Sequence, residues 1–400
     1  MYDLIVIGLG PAGASALYTS AKTGLKVLGV DKKREIGVPI QCGEFLPADD
    51  EYNNILPKAK HLELLKNFPK DFIKCHIYRV SLYSPNGIKY CDRFHGYVID
   101  RETFDKWIVY KAIECGADVK INTTVIGITR RNNIYTIKAH SLSGYVELKA
   151  RAVIAASGAS SNILPMLNLP KEDNPYNLAS TMQYVMAGYE GDINEVEMYT
   201  GSRYAPGAYA WIIPRGEGFA NVGVGVRSPF IKKIDRNCNV KSFLDRFIRE
   251  HPIASTKLKK AKAVSITGGI VPVGPPLKSY NESSIAVGDA ANQVIACIGA
   301  GVPTAVIAGS IAGEVIALHI TDNTPLSEYW NITYKEIGDA LENGYKIRLA
   351  IDLMCRSDKI LEKSIEYVCS RSYTDLIRVR IPKGINLIAL ASKIIGEFSH

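Results

Sequence analysis

A Rossmann-type α/β fold, with an inserted antiparallel-sheet domain and a C-terminal helical region, is the architecture this sequence predicts. Three observations carry that expectation. Residues 1–31 read as strand, glycine turn, helix and strand. Residues 152–156 form a fully apolar run closed by Ser157-Gly158, the pattern of a parallel strand buried on both faces. Two stretches dense in strand patterning, 72–99 and 177–226, stand apart from a mainly helical 325–400.

The opening unit sets the ligand class. The apolar run Tyr2-Asp3-Leu4-Ile5-Val6-Ile7 leads into Gly8-Leu9-Gly10-Pro11-Ala12-Gly13, and a second run, Lys26-Val27-Leu28-Gly29-Val30, ends on Asp31. Gly8 permits the tight turn, Gly10 lets a pyrophosphate approach the backbone, and Gly13 lets helix and strand pack closely. The free N–H groups and positive dipole end of the helix then hold phosphate. Asp31 can accept both hydroxyls of an adenosine ribose and repels a 2′-phosphate, so FAD or NAD fits better than NADP.

Composition narrows the class further. A chain of 400 residues with 47% hydrophobic content can bury a core spread over two or three domains. The net charge of +8 is not concentrated in any block, which argues against a nucleic-acid surface. The eight cysteines show no CxxC and no zinc-ligand spacing, so no metal site is expected and a reducing compartment is. No apolar stretch reaches ~18 uninterrupted residues and no signal peptide precedes the first strand, so a cytoplasmic protein, soluble or peripheral on a membrane, is expected. The apolar tail 385–395 could lie on a membrane surface or pack on the protein.

Taken in order, residues 32–45 form a loop with Pro39, Cys42 and Gly43 that would run beneath a dinucleotide toward its reactive end. Cys42 fits either a small buried residue or a functional thiol. A helix is expected at 58–66, and strands at 72–99 around the turn Ser84-Pro85-Asn86-Gly87. Asp100 should cap a helix running to about Cys115, and Arg101, unfavourably cationic at a helix start, should face an anion. Segments 123–130, 133–140 and 145–151 read as a meander. In Pro206-Gly207-Ala208-Tyr209-Ala210-Trp211-Ile212-Ile213-Pro214, alternation puts Tyr209, Trp211 and Ile213 on one face and Ala210 and Ile212 on the other. That aromatic face fits both a plain core and the wall of an apolar pocket. A helix near 239–249 and a strand near 261–266 precede Gly288-Asp289-Ala290-Ala291, where Asp289 should face the ribitol or pyrophosphate of the dinucleotide. Gly299-Ala300-Gly301 opens a long helix over about 302–319. The expected organisation is a cofactor domain built from 1–75, 95–175 and 265–320, a sheet domain from 76–94 and 176–264, and a helical region from 321–400.

The glycine motif, Asp100-Arg101 and Gly288-Asp289-Ala290-Ala291 together resemble the FAD-dependent group that includes para-hydroxybenzoate hydroxylase. Within it, Pro39-Ile40-Gln41-Cys42-Gly43-Glu44, Pro206-x-x-Tyr209-x-Trp211-x-x-Pro214 and the run from Arg215 to Gly225 are similar to the archaeal geranylgeranyl reductases. The resemblance covers roughly residues 1–320. It implies an FAD enzyme that reduces isolated double bonds of prenyl chains in archaeal membrane lipids. It further implies FAD contacts at Gly8, Gly10, Ala12, Gly13, Asp31, Arg101 and Val125, with Cys42 and Gly43 near the isoalloxazine. Asp289 would meet the ribityl-phosphate region, and Gly301 and Val302 the flavin ring. Cys42, Tyr209 and Trp211 would form the catalytic set, the two aromatics lining the prenyl pocket. Three departures fall near the flavin and pocket: Ser157 where the group usually has Asp, Ile213 where the family has Phe, and Ile295-Ala296-Cys297-Ile298 where a proline is usual.

A weakly electrophilic alkene needs a hydride, a close proton donor and a dry site, and Cys42 and Tyr209 are the candidate donors. Only one dinucleotide fingerprint is present, so NADPH would bind transiently, or electrons would come from reduced ferredoxin. The partners expected are therefore a prenylated lipid, an electron donor and a membrane surface. The alternatives are an aromatic-ring hydroxylase using O2 and an electron-transfer flavoprotein serving a quinone or carrier.

Overall fold

The computed structural model describes residues 1–160, 162–231 and 239–381; the apolar tail 385–395 and Cys238 lie outside them. In chain order the strands are β1 (Tyr2–Ile7), β2 (Val27–Val30), β3 (Phe45–Pro47), β4 (Ile73–Tyr83), β5 (Lys89–Ile99), β6 (Asp118–Lys120), β7 (Thr124–Arg131), β8 (Ile134–Ser141), β9 (Gly144–Ala155), β10 (Leu178–Ala187), β11 (Glu195–Tyr199), β12 (Ala210–Pro214), β13 (Phe219–Val226), β14 (Lys262–Pro272) and β15 (Ser284–Ala286). They form two sheets, ordered β6-β2-β1-β9-β8-β7 with β15 beside β9, and β14-β10-β13-β12-β11-β4-β5-β3.

The first sheet is parallel at its centre. β1 lies between β2 and β9, with Leu4 opposite both Val27 and Ala152, and every residue from Leu4 to Val6 is fully buried. The run at 152–156 is therefore the central strand the sequence implies, but it is continuous with the segment at 145–151. β9 leaves an antiparallel hairpin with β8 and ends as a parallel neighbour of β1 and β15. Exposed, alternating Tyr145–Lys149 gives way to buried Ala152–Ala155 along one strand.

The second sheet draws on residues beyond 76–94 and 176–264, since it takes in β3, β5 as far as Ile99 and β14 as far as Pro272. Ala210 and Ile212 are fully buried against Phe243, Leu244 and Phe247 of the helix Val240–Glu250, so the opposite face of β12 is left for the cavity. Of two long helices, Ser327–Met354 packs on the helix Val302–Asp322, and Asp358–Ile377 then packs over the second sheet at β5, with the Tyr373 hydroxyl donating to the Val80 carbonyl of β4 at 3.2 Å.

One sequence expectation needs correction. No helix covers 58–66; helices occupy Asp49–Ile55 and Glu63–Lys66 instead. The Glu336 carboxylate accepts from the Lys60 N–H at 2.8 Å and from the His61 N–H at 3.3 Å, so a distant helix satisfies backbone donors that a local helix would otherwise have used. The helix Val302–Asp322 is long and apolar enough to span a bilayer by length and composition, but 72% of its most apolar window is buried in the protein. It is the core helix that packs on Pro11–Ala21.

Candidate active site

A continuous cavity of about 1170 Å³ runs from the glycine turn after β1, past the second sheet, to the two last helices. Its first end is built by backbone. Gly8 has φ +95°, and a Cβ there would lie 2.3 Å from the Ala156 carbonyl oxygen. A Cβ on Gly13 would lie 1.8 Å from the Gly8 carbonyl oxygen, so turn, helix and β9 touch through main chain. At Gly10 nothing stands within 4 Å of that position, and the helix Pro11–Ala21 begins there with no side-chain cap. Gly10 and Ala12 line the cavity, which leaves backbone approach and an uncapped helix start to a pyrophosphate. This cradle fits the diphosphate of FAD. Asp31 is buried at its rim, where Oδ2 accepts from the Leu9 N–H at 2.7 Å and Oδ1 from the Lys33 N–H at 2.8 Å. It therefore clamps the glycine turn, and each oxygen retains acceptor capacity for a ribose hydroxyl.

The loop 32–44 passes along one wall. Arg101 lines the cavity as expected, but it is no free cation: its guanidinium is held by Asp105, with Nε and Nη2 donating at 3.0–3.1 Å. Cys42 lies close enough to feel this charge. Its Sγ accepts from the Glu44 N–H at 3.2 Å, and burial pushes the thiol pKa up, only partly offset by Arg101. Cys42 is therefore held as the neutral thiol. Gly43 follows it on the wall.

Val125 of β7, Asp289, and Gly301 with Val302 at the start of the Val302–Asp322 helix, again without a side-chain cap, also line the cavity, and Asp289 lies beside Gly301. Ser157 also lies here, and its buried hydroxyl has no partner among the described residues. Burial pushes Asp289 up to about 6 from 3.8, against an opposing pull from Arg101. A carboxyl raised in the folded state costs stability once it ionises, so the cost is absent below the unfolded value and grows as pH rises through about 6. Ligand-free Asp289→Asn should accordingly gain ~2 kcal/mol over the parent at about pH 8, and nothing below about pH 4. Urea unfolding at the two pH values checks this, and an equal gain at both would refute it.

Tyr209 and Trp211 face the cavity together, their ring centroids 5.9 Å apart, with Ile213 beyond them on the same face. Tyr209 lies just before β12 and donates its hydroxyl to the Ile298 carbonyl at 2.6 Å. The Trp211 indole N–H donates to Gln183 Oε1 at 2.9 Å, while Gln183 Nε2 donates to the Cys42 carbonyl at 3.1 Å. The aromatic strand and the cysteine loop are thus tied through one amide.

Two parts of the site were not among the expected site residues. Glu44, 2% exposed and in the left-handed region at φ +67°, accepts from Arg215 Nε at 2.5 Å and Nη2 at 3.0 Å, and from Asn221 Nδ2 at 2.8 Å. Asn221 also donates to the Gly43 carbonyl at 3.1 Å, so this network fixes the loop that carries Cys42. The second part is the cavity's apolar end, where Val80, Phe94 and Met198 of the second sheet face Met354, Ile365 and Tyr373 of the last two helices. Glu44 could have been singled out as the acid after Cys-Gly in the resembling motif; the helices offered no signal.

Residues 177–271 match the family model of the geranylgeranyl reductase catalytic domain, and residues 2–187 that of pyridine nucleotide-disulphide oxidoreductases. The digeranylgeranylglycerophospholipid reductase of Methanocaldococcus jannaschii is 36% identical over 91% of this chain and 87% of its own length. Digeranylgeranylglycerophospholipid reductase 2 of Methanopyrus kandleri is 31% identical over 99% and 96%. Among solved structures, a geranylgeranyl bacteriochlorophyll reductase-like protein of Thermoplasma acidophilum superposes with TM-score 0.81 at 27% identity, covering 100% of this chain and 98% of its own. The flavin-dependent brominase Bmp2, at TM-score 0.70 and 16% identity, shares the fold. With near-complete coverage by such relatives, the chain belongs to the digeranylgeranylglycerophospholipid reductase family.

Proposed function

We infer that this protein is an FAD-dependent reductase that saturates isolated double bonds in the geranylgeranyl chains of a lipid precursor. The observation that carries this reading is the single cavity joining the glycine cradle to an apolar chamber. The cradle suits a dinucleotide diphosphate, the chamber suits a hydrocarbon chain, and Cys42, Tyr209 and Trp211 line the same cavity. The family's names supply the substrate class.

Reduced FAD supplies the hydride when bound. The protein must then place the alkene, keep water out and deliver one proton to the other alkene carbon. Tyr209 has its proton committed to the Ile298 carbonyl at 2.6 Å, so it is the weaker donor. The Trp211 indole forms wall rather than acid. Cys42 holds its proton on Sγ beside the cavity, and we assign it the donation; the resulting thiolate takes its proton back from solvent before the next turnover. Electrons arrive from NADPH bound without its own Rossmann unit, or from a reduced ferredoxin-type protein at a cytoplasmic or membrane-surface location. Support for the unit-free donor is the single glycine-turn βαβ unit in the chain.

The protein should purify yellow, release FAD on denaturation, and add two hydrogens per double bond to geranylgeranyl lipid under anaerobic dithionite, read by mass spectrometry. Colourless protein that cannot be reconstituted with FAD would overturn the reading. Cys42→Ser should bind FAD and accept electrons normally, yet saturate prenyl lipid ~100-fold more slowly, the scale of a lost general acid. Saturation at the parent rate would make Cys42 a wall residue.

A further inference from the structure

One row of the second sheet reaches from the aromatic wall to the cysteine loop. Trp211 of β12 stands opposite Gly223 of β13, and Gly223 stands opposite Gln183 of β10. The indole can cross the middle strand because Gly223 has no side chain: a Cβ there would lie 2.2 Å from the Trp211 ring. It ends on Gln183, which is 5% exposed and lines the cavity. The Gln183 amide has a single orientation open to it. An indole N–H only donates and a peptide carbonyl only accepts, so Oε1 faces Trp211 at 2.9 Å and Nε2 faces the Cys42 carbonyl at 3.1 Å.

The loop is tied to the sheet at consecutive residues. Gln41 Nε2 donates to the Gly268 carbonyl at 2.7 Å, Gln183 Nε2 to the Cys42 carbonyl and Asn221 Nδ2 to the Gly43 carbonyl. Of these ties, the middle one grips the peptide of Cys42 itself and is held in turn by a side chain of the aromatic wall. A proton donor must stand within hydrogen-bond reach of the atom it protonates, and a misplacement of about 1 Å can cost ~100-fold. We propose that Gln183 is a positioning residue, whose amide registers the Cys42 thiol against the Trp211 wall so that an alkene seated there meets its proton at a fixed distance. The role rests on the reading of Cys42 as proton donor; Gln183 itself carries neither proton nor hydride.

The test follows anaerobic reoxidation of dithionite-reduced, FAD-loaded protein by geranylgeranyl lipid through flavin absorbance. Gln183→Met keeps the side-chain length and removes both bonds. It should hold FAD and accept electrons like the parent, saturate lipid ~10-fold more slowly, and leave the half-saturating lipid concentration within ~2-fold. In a Cys42→Ser background the same substitution should cost less than ~2-fold, because the group it places is gone. An undiminished cost there overturns the role and makes Gln183 a support of the wall alone. Gln183→Met at the parent rate overturns it outright. Gln183→Glu gives a reading that a packing role does not move. A neutral carboxyl can donate to Cys42 and accept from Trp211, whereas a carboxylate only accepts. Its rate relative to the parent should be near one at about pH 5 and fall as the carboxyl ionises, above the ordinary ~4.3 because the position is buried. A ratio as low as that of Gln183→Met at every pH overturns the bridge. Cys42→Ser at the parent rate fails the donor reading, and the positioning role falls with it. Slow Cys42→Ser beside parent-rate Gln183→Met fails the positioning role alone.

Discussion

Gly13→Ala should yield protein that retains no FAD through gel filtration. The added Cβ would sit 1.8 Å from the Gly8 carbonyl oxygen and 2.8 Å from the Ala156 Cβ. Neither neighbour is a flexible side chain that can swing away. One belongs to the turn and the other follows the central strand β9, so relief requires the helix Pro11–Ala21 to lift from the sheet. Overpacking of this kind costs ~3 kcal/mol, and the same displacement moves the uncapped helix start away from the diphosphate. FAD affinity should fall at least ~100-fold. Gly10→Ala separates the two effects, because its Cβ meets no protein atom within 4 Å and φ is −71°. That variant should melt like the parent yet bind FAD weakly, its methyl occupying the cradle. Flavin absorbance per protein and a melting curve check both, and a fully yellow Gly13→Ala would refute the close-approach argument.

Glu44→Ala should lower stability by ~4 kcal/mol, the scale of breaking a buried ion pair by removing one partner. The carboxylate is 2% exposed and accepts three side-chain hydrogen bonds, two from Arg215 and one from Asn221. Its removal leaves a guanidinium that is 27% exposed and a fully buried amide facing a void. The left-handed backbone at φ +67° adds strain that alanine tolerates no better than glutamate. Urea unfolding measures the loss, and a value below ~1 kcal/mol would show that solvent reaches Arg215 and replaces the pair. Because Asn221 also holds the Gly43 carbonyl, the folded fraction should reduce prenyl lipid slowly even where it binds FAD.

What could be read from the sequence follows the range of the interactions involved. The βαβ unit was legible because its turn glycines, helix and ribose acid lie within one local stretch and answer to each other's geometry. The helix Arg101–Glu114 was legible for the same reason, with the Asp100 carboxylate accepting from the Thr103 N–H at 3.1 Å. The alternation of Tyr209, Ala210, Trp211 and Ile212 gave the two faces of β12, but not which face met a cavity; the helix Val240–Glu250 decided that by covering Ala210 and Ile212. Arg101 was expected to face an anion of the cofactor; the anion that holds it in the structure is its own Asp105, one turn on. Glu44 and its partners Arg215 and Asn221 are 171 and 177 residues apart, a distance no local pattern spans. Likewise, the loop at 58–62 is held open by Glu336, so propensity alone could not find it.

The apolar chamber is closed by Met354, Ile365 and Tyr373, on helices without any recognisable motif, whereas the reactive end is closed by the glycine cradle and the Cys42 loop. Acceptor choice and redox chemistry are thereby written in separate parts of the chain. If the prenyl chain lies in this chamber, as proposed above, these two helices would act as a ruler, their side-chain volumes setting how much hydrocarbon can be threaded past the reducing centre and therefore which bonds along a polyprenyl chain come into register. Evolution can lengthen or shorten that ruler by ordinary hydrophobic substitutions without disturbing the cofactor. Two proteins identical at every signature residue can thus hand back lipids of different saturation.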